Sequence, residues 1–318
     1  MPKRLLMVMD PISSINIKKD SSFAMLLEAQ RRDFEIHLAG GHDLSIHGNT
    51  PKVRAQQASV VDNPSSWYQW KNDPISTDLS EFDVVIMRKD PPFDMEYINC
   101  TYVLQLAAEQ GVLVVNSPDA LRDCNEKVFV SHFAEQSADF LFSSRDAEIK
   151  DFIRQHGDCV VKPLDGMGGA SIFRVNPTDP NLNVILETIT QFGQKMIMVQ
   201  RYLPEITEGD KRILIVDGIP VDYVLARIPA ADDFRGNLAK GGTGVGMPIS
   251  AREKEIATII GEDLKKRGVL FAGLDVIGGY VTEINITSPT CIRELDAQFD
   301  LNISALLFDA IDSNLEKF

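Results

Sequence analysis

The stretch KPLDGMGGAS, residues 162–171, carries three glycines in four positions directly after an apolar run. The flanking segments DCVVKPL and ASIFRV are rich in β-branched and apolar residues, so the glycines are predicted to form the tip of a β-hairpin. The stretch fits neither the Walker A pattern nor the dinucleotide-binding pattern. Glycine backbones still allow N–H groups to point at a phosphate, and Lys162 adds a positive charge. The stretch therefore indicates a phosphate-binding hairpin, with a merely permissive turn as the alternative.

The composition indicates a globular protein of two or three packed units. The chain has 318 residues, of which 44% are hydrophobic, and this is ample for a core. The apolar start ends at Asp10 and no later apolar run approaches ~18 residues, so neither a signal peptide nor a membrane helix is expected. A cytoplasmic location is the default expectation. The four cysteines form no C-x-x-C pair, which argues against a zinc site or a disulfide framework.

The net charge limits the classes of partner that the protein can bind. A net charge of −14 argues against nucleic acid, because phosphate backbones are bound by basic surfaces. An anionic ligand must therefore meet a local cluster of positive charge. The five histidines show no metal-binding spacing and no companion nucleophile motif, so structural or surface roles are expected for them.

The first third of the chain predicts an α/β unit. RLLMVM and FEIHLA are predicted to be buried strands on either side of the amphipathic helix SSFAMLLEAQRR, which opens with serine caps. DVVIMR, MEYINCTYVLQLAAEQ and GVLVVN repeat this order, so a parallel sheet covered by helices is expected. Arg88 falls at the carboxyl end of a strand, where ligands of such sheets gather. A surface arginine before a proline turn is the alternative. Residues 40–80 show no clear period, and a hairpin or loop excursion is expected there.

Two single residues become candidates from their positions. Asp123 and Glu126 have the spacing of a capping box, which would start a helix carrying Lys127 in its first turn. A lysine there is unfavourable for the helix dipole unless it has another use, although a solvated lysine is the simpler interpretation. Leu203 precedes Pro204 and is therefore biased toward an extended backbone. Such a linker offers free N–H and C=O groups to a flat base.

A two-residue turn at Asp217-Gly218 predicts an antiparallel hairpin in which Arg212 lies opposite Tyr223. Alternation by two then puts Arg212 and Arg227 on one face of the hairpin. Two arginines on an otherwise apolar face need anions, which could be buried carboxylates of the protein. In a strongly acidic chain, an exposed pair that binds substrate carboxylates or phosphates is the favoured interpretation.

The segment that follows, IPAADDFRGNLAKGGTGVG, has five glycines, the basic residues Arg235 and Lys240, and no period. A loop longer than ~12 to 15 residues within a compact enzyme is usually functional or disordered. The segment is predicted to be a lid that is mobile without ligand.

The last group of candidates lies in GLDVIGGYVTEINITSPTCIRE. Asp275, Glu283 and Asn285 carry the hard oxygen ligands that Mg²⁺ accepts, and Glu283 and Asn285 face the same way on a strand. Asp275 would join them if a three-residue turn, Gly278 to Tyr280, paired it with Glu283. The metal hypothesis thus predicts a turn of odd length. A solvent-facing strand with alternating polar residues is the alternative.

In chain order these features resemble the ATP-grasp family and, within it, the bacterial glutathione synthetases. The segments that carry the resemblance span most of the chain: MDPISSINIKKDSSFAMLLEAQRR, MRKDPPFD, LRDCNEK, KPLDGMGGASIFRV, GDKR, LARIP, RGNLAKGG and TEINITSPTCIRE. The resemblance assigns no side-chain roles in residues 40–80, in residues 230–233 or in the tail after Glu294.

The resemblance implies an ATP-grasp fold in three parts. Residues 1–122 would form an N-terminal Rossmann-like parallel-sheet domain, and residues 123–201 a small central α+β lid domain. Residues 202–318 would form a C-terminal antiparallel-sheet domain with the substrate lid loop 228–245, and ATP would lie between the last two parts. The implied reaction joins γ-glutamylcysteine to glycine through an acyl phosphate, uses ATP and Mg²⁺, with Mn²⁺ as a substitute, and occurs in a homotetramer.

The resemblance also implies roles for individual residues. ATP contacts are implied for Lys127, Lys162, Gly166, Met167, Gly168, Gly169, Gln200, Tyr202, Leu203 and Asp210. Substrate contacts are implied for Arg88, Arg212, Arg227, Arg235, Asn237 and Arg293, with Arg212 and Arg235 catalytic. The metal ligands would be Asp275, Glu283 and Asn285.

Two other functions compete with this one. The first is another ATP-grasp carboxylate-amine ligase, and the second is an ATP-binding regulatory protein that has lost the chemistry. The intact Asp275, Glu283 and Asn285 argue against the second. The several arginines suit a peptide with more than one carboxylate and argue against a single small amino acid as the donor.

Overall fold

The computed structural model describes residues 2–166, 169–230, 233, 235–236 and 241–317. Within these residues no helix is both long and apolar enough to cross a lipid bilayer. The predicted positions Met167, Gly168, Asn237 and Lys240 lie outside the described residues, as do parts of the predicted lid loop.

The N-terminal part contains an eight-stranded mixed sheet with the order β3-β4-β2-β1-β7-β8, in which β5 and β6 also pair with β4. Its elements are β1 (Arg4–Met9), α1 (Ser21–Arg31), β2 (Glu35–Ala39), β3 (Leu44–His47), β4 (Thr50–Val60), β5 (Tyr68–Trp70), β6 (Ile75–Asp78), β7 (Val84–Arg88), α2 (Met95–Glu109), β8 (Leu113–Val115) and α3 (Pro118–Asp123).

Strands β2, β1, β7 and β8 form the parallel core that the β-α-β pattern predicts. The segment 40–80 adds an antiparallel extension of four strands to that core. The cap of α1 differs from the prediction: the side chain of Asp20 accepts a hydrogen bond from the Phe23 N–H, whereas Ser21 and Ser22 are buried inside the helix. A carboxylate one residue before the serines can reach the same free N–H group, so it takes the capping position.

The middle part is a four-stranded antiparallel sheet with the order β11-β10-β12-β9. Its elements are a 3₁₀ helix (Val128–Gln136), β9 (Phe140–Ser143), α4 (Asp146–His156), β10 (Cys159–Pro163), β11 (Phe173–Val175), α5 (Leu182–Ile189) and β12 (Ile197–Arg201). Strands β10 and β11 pair antiparallel, Val161 opposite Phe173, so the predicted glycine hairpin is confirmed.

The predicted capping box before Lys127 does not form. Asp123 is the last residue of α3, and Lys127 precedes the 3₁₀ helix. The side chain of Asn125 caps this turn instead, because its Oδ1 accepts hydrogen bonds from the N–H groups of Lys127 and Val128, both at 3.1 Å. An asparagine this close to the free N–H groups satisfies them locally. The carboxylate of Glu126 is thereby left for a different partner.

The C-terminal part is a five-stranded antiparallel sheet with the order β15-β14-β13-β16-β17. Its elements are a 3₁₀ helix (Pro204–Glu208), β13 (Asp210–Val216), β14 (Ile219–Ile228), β15 (Thr243–Pro248), α6 (Ala251–Lys266), β16 (Phe271–Ile277), β17 (Tyr280–Asn285), α7 (Ile292–Phe299) and α8 (Ile303–Leu315).

The N-terminal and C-terminal parts share their hydrophobic core. Leu307 and Phe308 of α8 belong to the same buried cluster as Phe23 and Leu26 of α1. Asn116 ties the two parts together, because its buried amide donates to the carbonyl groups of Phe271 at 2.8 Å and Ile286 at 2.7 Å. Its Oδ1 accepts from the N–H groups of Leu270 at 2.9 Å and Phe271 at 3.0 Å. This satisfied buried amide aligns the parallel sheet with the edge of the C-terminal sheet.

Candidate active site

A cavity of about 400 Å³ is lined by both the glycine hairpin and the C-terminal sheet. Most of the predicted site residues line it: Lys127, Lys162, Gly166, Gly169, Gln200, Tyr202, Leu203, Asp210, Arg212, Arg227, Arg235, Asp275, Glu283 and Asn285. Residues from distant parts of the chain are therefore brought to one place, with cations and carboxylates interleaved.

Two buried lysines stand at the glycine hairpin. Lys127 Nζ donates to Glu126 Oε1 at 2.5 Å and to the carbonyl oxygen of Gly166 at 2.9 Å. Lys162 Nζ donates to the carbonyl oxygen of Thr282 at 3.3 Å. Both ammonium groups face one carboxylate, since Glu283 Oε1 lies 3.5 Å from Lys162 Nζ and 3.8 Å from Lys127 Nζ. Lys127 thus connects the hairpin tip to the floor of the cavity.

The environments of the two lysines shift their pKa values in opposite directions. Burial lowers the pKa of Lys162 below its ordinary value, in spite of the nearby Glu283. Burial acts on Lys127 as well, but Glu283 and Glu126 outweigh it and raise the pKa. Lys127 therefore stays charged without ligand, whereas a bound anion would favour the charged form of Lys162.

The arginine hairpin forms with a different register from the predicted one. Its turn is as predicted: Val216 pairs with Ile219, and Asp217 and Gly218 have φ values of 48° and 81°. An irregularity between Ile213 and Ile215 then moves Arg212 opposite Leu225, where the two-residue turn alone would place it opposite Tyr223. The shift is two residues, so the face on which Arg212 lies is preserved.

Arg212 and Arg227 converge on Asp275. Asp275 accepts from Arg212 Nε at 2.6 Å and Arg212 Nη2 at 3.1 Å, and Arg227 Nη2 lies 2.9 Å from Asp275 Oδ2. Arg227 also donates to Asp210 Oδ2 at 2.6 Å. The predicted exposure of the pair was wrong: both guanidinium groups are largely buried and form salt bridges in the protein itself. Both arginines line the cavity, so their binding of substrate carboxylates or phosphates stays a prediction.

This ion network shifts the pKa values of Asp275 and Asp210 in opposite directions. Burial raises the pKa of Asp275, but Arg212 and Arg227 outweigh it and hold the pKa below its ordinary value. Burial dominates at Asp210 and raises its pKa to about 6, although Arg227 acts against it. The second oxygen of Asp210, Oδ1, is buried without a hydrogen-bond partner among the described residues. Asp275 is therefore the permanent anion of the cavity, and Asp210 is the carboxylate with spare acceptor capacity.

The three predicted metal ligands meet, but by a different route. Asp275 pairs with Glu283 as the metal hypothesis requires, yet the turn has two residues, because Ile277 pairs with Tyr280. The odd number of residues between the paired Asp275 and Glu283 comes from a β-bulge next to this pair. Thr282 of β17 is the extra residue there. The predicted three-residue turn was wrong, and the bulge supplies the required parity.

The donor chemistry suits a hard divalent cation. Asn285 Nδ2 lies 3.4 Å from Asp275 Oδ2, and both residues line the cavity beside Glu283. Two carboxylates and an amide oxygen are ligands that Mg²⁺ accepts. Among the described residues there is no group of three or more His, Cys, Asp or Glu side chains in metal-binding geometry, so the set depends on Asn285 and on solvent or substrate oxygens.

The remaining predicted arginines are divided. Arg88 is buried, donates to Ser22 Oγ at 3.0 Å and to the carbonyl oxygen of Pro289 at 2.9 Å, and keeps Nη1 without a partner among the described residues. Arg235 donates to the carbonyl oxygen of Gly169 at 2.8 Å, so the lid segment contacts the glycine hairpin. Arg293 instead donates to Asp62 at 2.8 Å. Neither Arg88 nor Arg293 is among the residues that line the cavity.

The linker to the C-terminal sheet is extended at Leu203, as predicted, with φ −108° and ψ 104°. The backbone N–H of the preceding residue, Tyr202, is not free for a ligand, because it donates to the carbonyl oxygen of Asp158 at 2.9 Å. Gln200 is buried, and its Nε2 has no partner among the described residues. A flat base at this linker would therefore meet Leu203 and the free amide of Gln200.

Sequence reasoning missed Glu126 as a member of the site. Its carboxylate lines the cavity and pairs with Lys127, and burial raises its pKa in spite of that lysine. Its carbonyl oxygen accepts from the Ile284 N–H at 2.8 Å, which joins this segment to β17. The segment from Thr287 to Thr290 also lines the cavity. Only the position of Glu126 next to Lys127 in sequence could have indicated it.

Comparisons with known proteins agree with this geometry. Residues 4–122 match the model of the prokaryotic glutathione synthetase N-terminal domain, and residues 126–300 match that of its ATP-grasp domain. The glutathione synthetase of Vibrio cholerae is 54% identical over 313 residues, which cover 98% of each chain. The glutathione synthetase of Photorhabdus laumondii is 52% identical over 315 residues, 99% of each chain.

Solved structures show the same fold at much lower identity. D-cycloserine synthetase DcsG aligns with a TM-score of 0.68 at 13% identity, over 98% of this chain and 99% of that one. The ATP-grasp ligase PsnB, complexed with a minimal precursor, aligns with a TM-score of 0.64 at 17% identity, over 98% and 99%. These likenesses concern the fold alone. The two family matches and the full-length relatives show that the chain has the ATP-grasp fold and belongs to the prokaryotic glutathione synthetase family.

Proposed function

We propose that the chain ligates γ-glutamylcysteine to glycine and converts ATP to ADP and phosphate through an acyl-phosphate intermediate. The observation that carries this proposal is the charge arrangement of one cavity: Lys127 and Lys162 stand at the glycine hairpin, and Arg212 and Arg227 stand around Asp275. A carboxylate is a poor electrophile, and phosphorylation turns it into a group that an amine can attack. The family membership makes the chain an ATP-dependent ligase that forms a C–N bond.

On the nucleotide side, the two lysines supply positive charge where the γ-phosphoryl group moves. They are already desolvated, with exposed fractions of 3% for Lys127 and 5% for Lys162, so little reorganisation is needed when phosphate charge develops. The carbonyl oxygen of Gly166 holds Lys127 at the hairpin tip. Backbone N–H groups of the hairpin would bind the β- and γ-phosphates, and Gln200 and Leu203 would contact the base.

Asp275, Glu283 and Asn285 would hold Mg²⁺, or Mn²⁺ in its place. The cation would neutralise phosphate charge and orient the transferred group. Glu283 is the most available ligand, because its described contacts with Lys127 and Lys162 are long, at 3.8 Å and 3.5 Å. Asp275 already accepts from two arginines and has less free acceptor capacity.

On the peptide side, the arginines would orient the carboxylates of γ-glutamylcysteine. The unpartnered Nη1 of Arg88 is a donor that a substrate carboxylate could satisfy. Arg212 and Arg227 would place the reacting carboxylate beside the phosphoryl group. Arg235 would bring the segment between β14 and β15, the inner part of the predicted lid loop 228–245, over it. Water would then be kept from the acyl phosphate. We further propose a cytoplasmic homotetramer for this enzyme.

The reaction is tested by omitting one component at a time. Purified protein with ATP, Mg²⁺, γ-glutamylcysteine and glycine should release one phosphate for each glutathione detected by mass spectrometry, and each omission should abolish the peptide. A Lys162→Gln variant is the inactive control. A panel of other donor carboxylates and acceptor amines tests the alternative of a different carboxylate-amine ligase. Faster turnover with another pair would replace the proposed substrates, and no ATP turnover with any pair would contradict a ligase altogether.

A further inference from the structure

A second cavity, of about 560 Å³, lies in the N-terminal part, where none of the residues assigned to the reaction takes part. It is lined by the ends of β1 and β2, by the segment 40–74, and by residues of α2. The segment 40–74 lies within residues 4–122, which match the family's N-terminal domain, but the sequence predicts no site residue in it. The cavity therefore gives a structural setting to residues that the ligase reaction leaves unexplained.

The position of this cavity in the sheet favours ligand binding. Strand β1 is flanked by β2 on one side and β7 on the other, both parallel to it. The chain runs from β1 to β2 and later returns to β7, so the strand order reverses at β1. Open parallel sheets bind ligands in the crevice outside the carboxyl ends of their strands at such a reversal. Met9, Ala39 and Lys89 lie at or directly after those ends, and all three line the cavity.

Two cations and one carboxylate of the lining have capacity for a ligand. The side chain of Arg54 makes no hydrogen bond or ion pair with any described residue. Its direction follows from β4, where Val53 and Ala55 are buried on one face and Arg54 and Gln56 line the cavity on the other. Lys89 Nζ donates to the carbonyl oxygen of Asp90 at 3.1 Å and has two further donors.

The acidic lining residues are not equivalent. The side chain of Glu96, at the start of α2, has no hydrogen bond or ion pair within the described part of the chain. Asp10 accepts from the Asp90 N–H at 3.0 Å, and Asp43 accepts from the Gly40 N–H at 2.8 Å. Glu96 is therefore the acceptor with the most capacity left, and it suits an amino or hydroxyl group on a ligand.

An aromatic wall completes the cavity. Tyr68 and Trp70 contact each other edge to face, with ring centroids 5.3 Å apart, and both line the cavity with Pro74. Trp70 is 39% exposed, which is unusual for an indole that has packing partners. A flat ring stacked on such a wall buries apolar area without losing many rotamers.

We propose that this cavity binds a small planar organic anion: a flat ring with a phosphate or carboxylate at one end and a hydrogen-bond donor at the other. The anion would meet Arg54 and Lys89, the donor would meet Glu96, and the ring would lie on Tyr68 and Trp70. Occupation of this cavity is separate from ATP binding, although Lys89 lines one cavity and the next residue, Asp90, lines the other.

Tryptophan fluorescence tests the proposal, because the chain has two tryptophans. Trp67 does not line the cavity and donates to the carbonyl oxygen of Ile12 at 2.8 Å, so a Trp67→Phe variant leaves Trp70 as the single indole reporter. This variant is titrated with AMP for the phosphate form and with 4-aminobenzoate for the carboxylate form. We expect a saturable change of Trp70 emission with at least one of them, and the responding probe identifies the anion.

Matched arginine variants show where the probe binds. Adding Arg54→Gln should weaken the affinity for the probe about tenfold or more, because a charge-assisted hydrogen bond is lost. Adding Arg154→Gln, an exposed arginine of α4, should leave it unchanged. Adding Lys162→Gln, which alters the ATP cavity, should also preserve it. Calorimetry on the otherwise unaltered chain, with and without Arg54→Gln, repeats the comparison without replacing Trp67.

The proposal fails under any of three results. The first is no saturable response to either probe by fluorescence and calorimetry. The second is equal affinity with and without Arg54→Gln. The third is a response that Lys162→Gln abolishes, which would place the probe in the ATP cavity.

Discussion

Asp275 and Glu283 face each other across β16 and β17. For the same chemical change at the two positions, the structure predicts a similar loss of activity but different losses of stability. Asp275→Asn and Glu283→Gln each replace a carboxylate with an amide of nearly equal size. Asp275 is 5% exposed and accepts from Arg212 at 2.6 and 3.1 Å. Glu283 is 20% exposed, and its nearest cation is Lys162 Nζ at 3.5 Å.

The expected losses of stability follow from these contacts. Breaking a buried ion pair by removing one partner costs about 3–5 kcal/mol, because the remaining charge is left uncompensated. The amide introduced by Asp275→Asn would keep one acceptor oxygen, and Asp210 would still pair with Arg227, so we expect a loss of about 3 kcal/mol. Glu283→Gln removes longer and partly solvated contacts, so its stability should change by no more than about 1 kcal/mol.

Activity should not follow stability. Both variants lose a predicted Mg²⁺ ligand, so each should lower kcat at saturating substrates by about 100-fold or more. Glu283→Gln should thus be a well-folded, nearly inactive protein, whereas Asp275→Asn should be inactive and also destabilised.

The assay pairs urea unfolding, followed by far-ultraviolet circular dichroism, with phosphate release. Asp222→Asn is a matched control on strand β14 of the same sheet, because Asp222 is 73% exposed and pairs with Lys254 at 2.8 Å. It should change stability by no more than about 0.5 kcal/mol and leave turnover intact. Equal destabilisation by Asp275→Asn and Glu283→Gln would refute the buried-anion role of Asp275. Near-normal turnover of Glu283→Gln would refute the metal assignment.

Three further predictions concern other parts of the molecule. Arg227→Ala should raise the KM for γ-glutamylcysteine by about tenfold or more, and the KM for ATP much less, because a charge-assisted bond to the peptide is lost. Arg293→Ala, outside the cavity, should change neither KM. An equal rise in both KM values would point to general damage. Limited proteolysis should cut the free enzyme near Arg235, and ATP with γ-glutamylcysteine should protect it; a cleavage pattern that ligands do not alter would make the segment an ordinary surface loop. Burial raises the pKa of Glu28, but hydrogen bonds from Arg31 and Arg32 outweigh it and hold the pKa at about 2, so the stability from Glu28 is complete above its ordinary pKa of 4.5 and is lost as the pH falls toward 2. Chemical unfolding of wild type and Glu28→Gln should therefore differ by about 2 kcal/mol at pH 7, and this difference should vanish near pH 2; a constant difference across that range would contradict the linkage.

Local signals in the sequence were sufficient for much of the fold. The glycine hairpin, the parallel β-α-β order and the turn at Asp217-Gly218 all appear as predicted. Each depends on contacts between residues close in sequence: glycine tolerates positive φ, alternation by two marks a strand, and apolar periodicity marks a buried helix face. Most cations and carboxylates of the cavity, though not Glu126, were also recognisable, because two lysines, paired arginines and three oxygen ligands are costly to bury without a ligand or one another.

Contacts across the chain decided the rest. The register of Arg212 and the pairing of Asp275 with Glu283 both depend on irregularities within strands, at Ile213–Ile215 and at Thr282. A bulge is fixed by packing against neighbouring strands, so turn length alone could not give the register. The arginine pair also depends on the tertiary structure. Alternation by two in the sequence showed that the two guanidinium groups share a face, but only the folded sheet brings Asp275, from a third strand, between them. Three of the four strands within residues 40–80 have only three or four residues, too few to show a period, and the cavity that the segment lines exists only once β4 lies beside the parallel core.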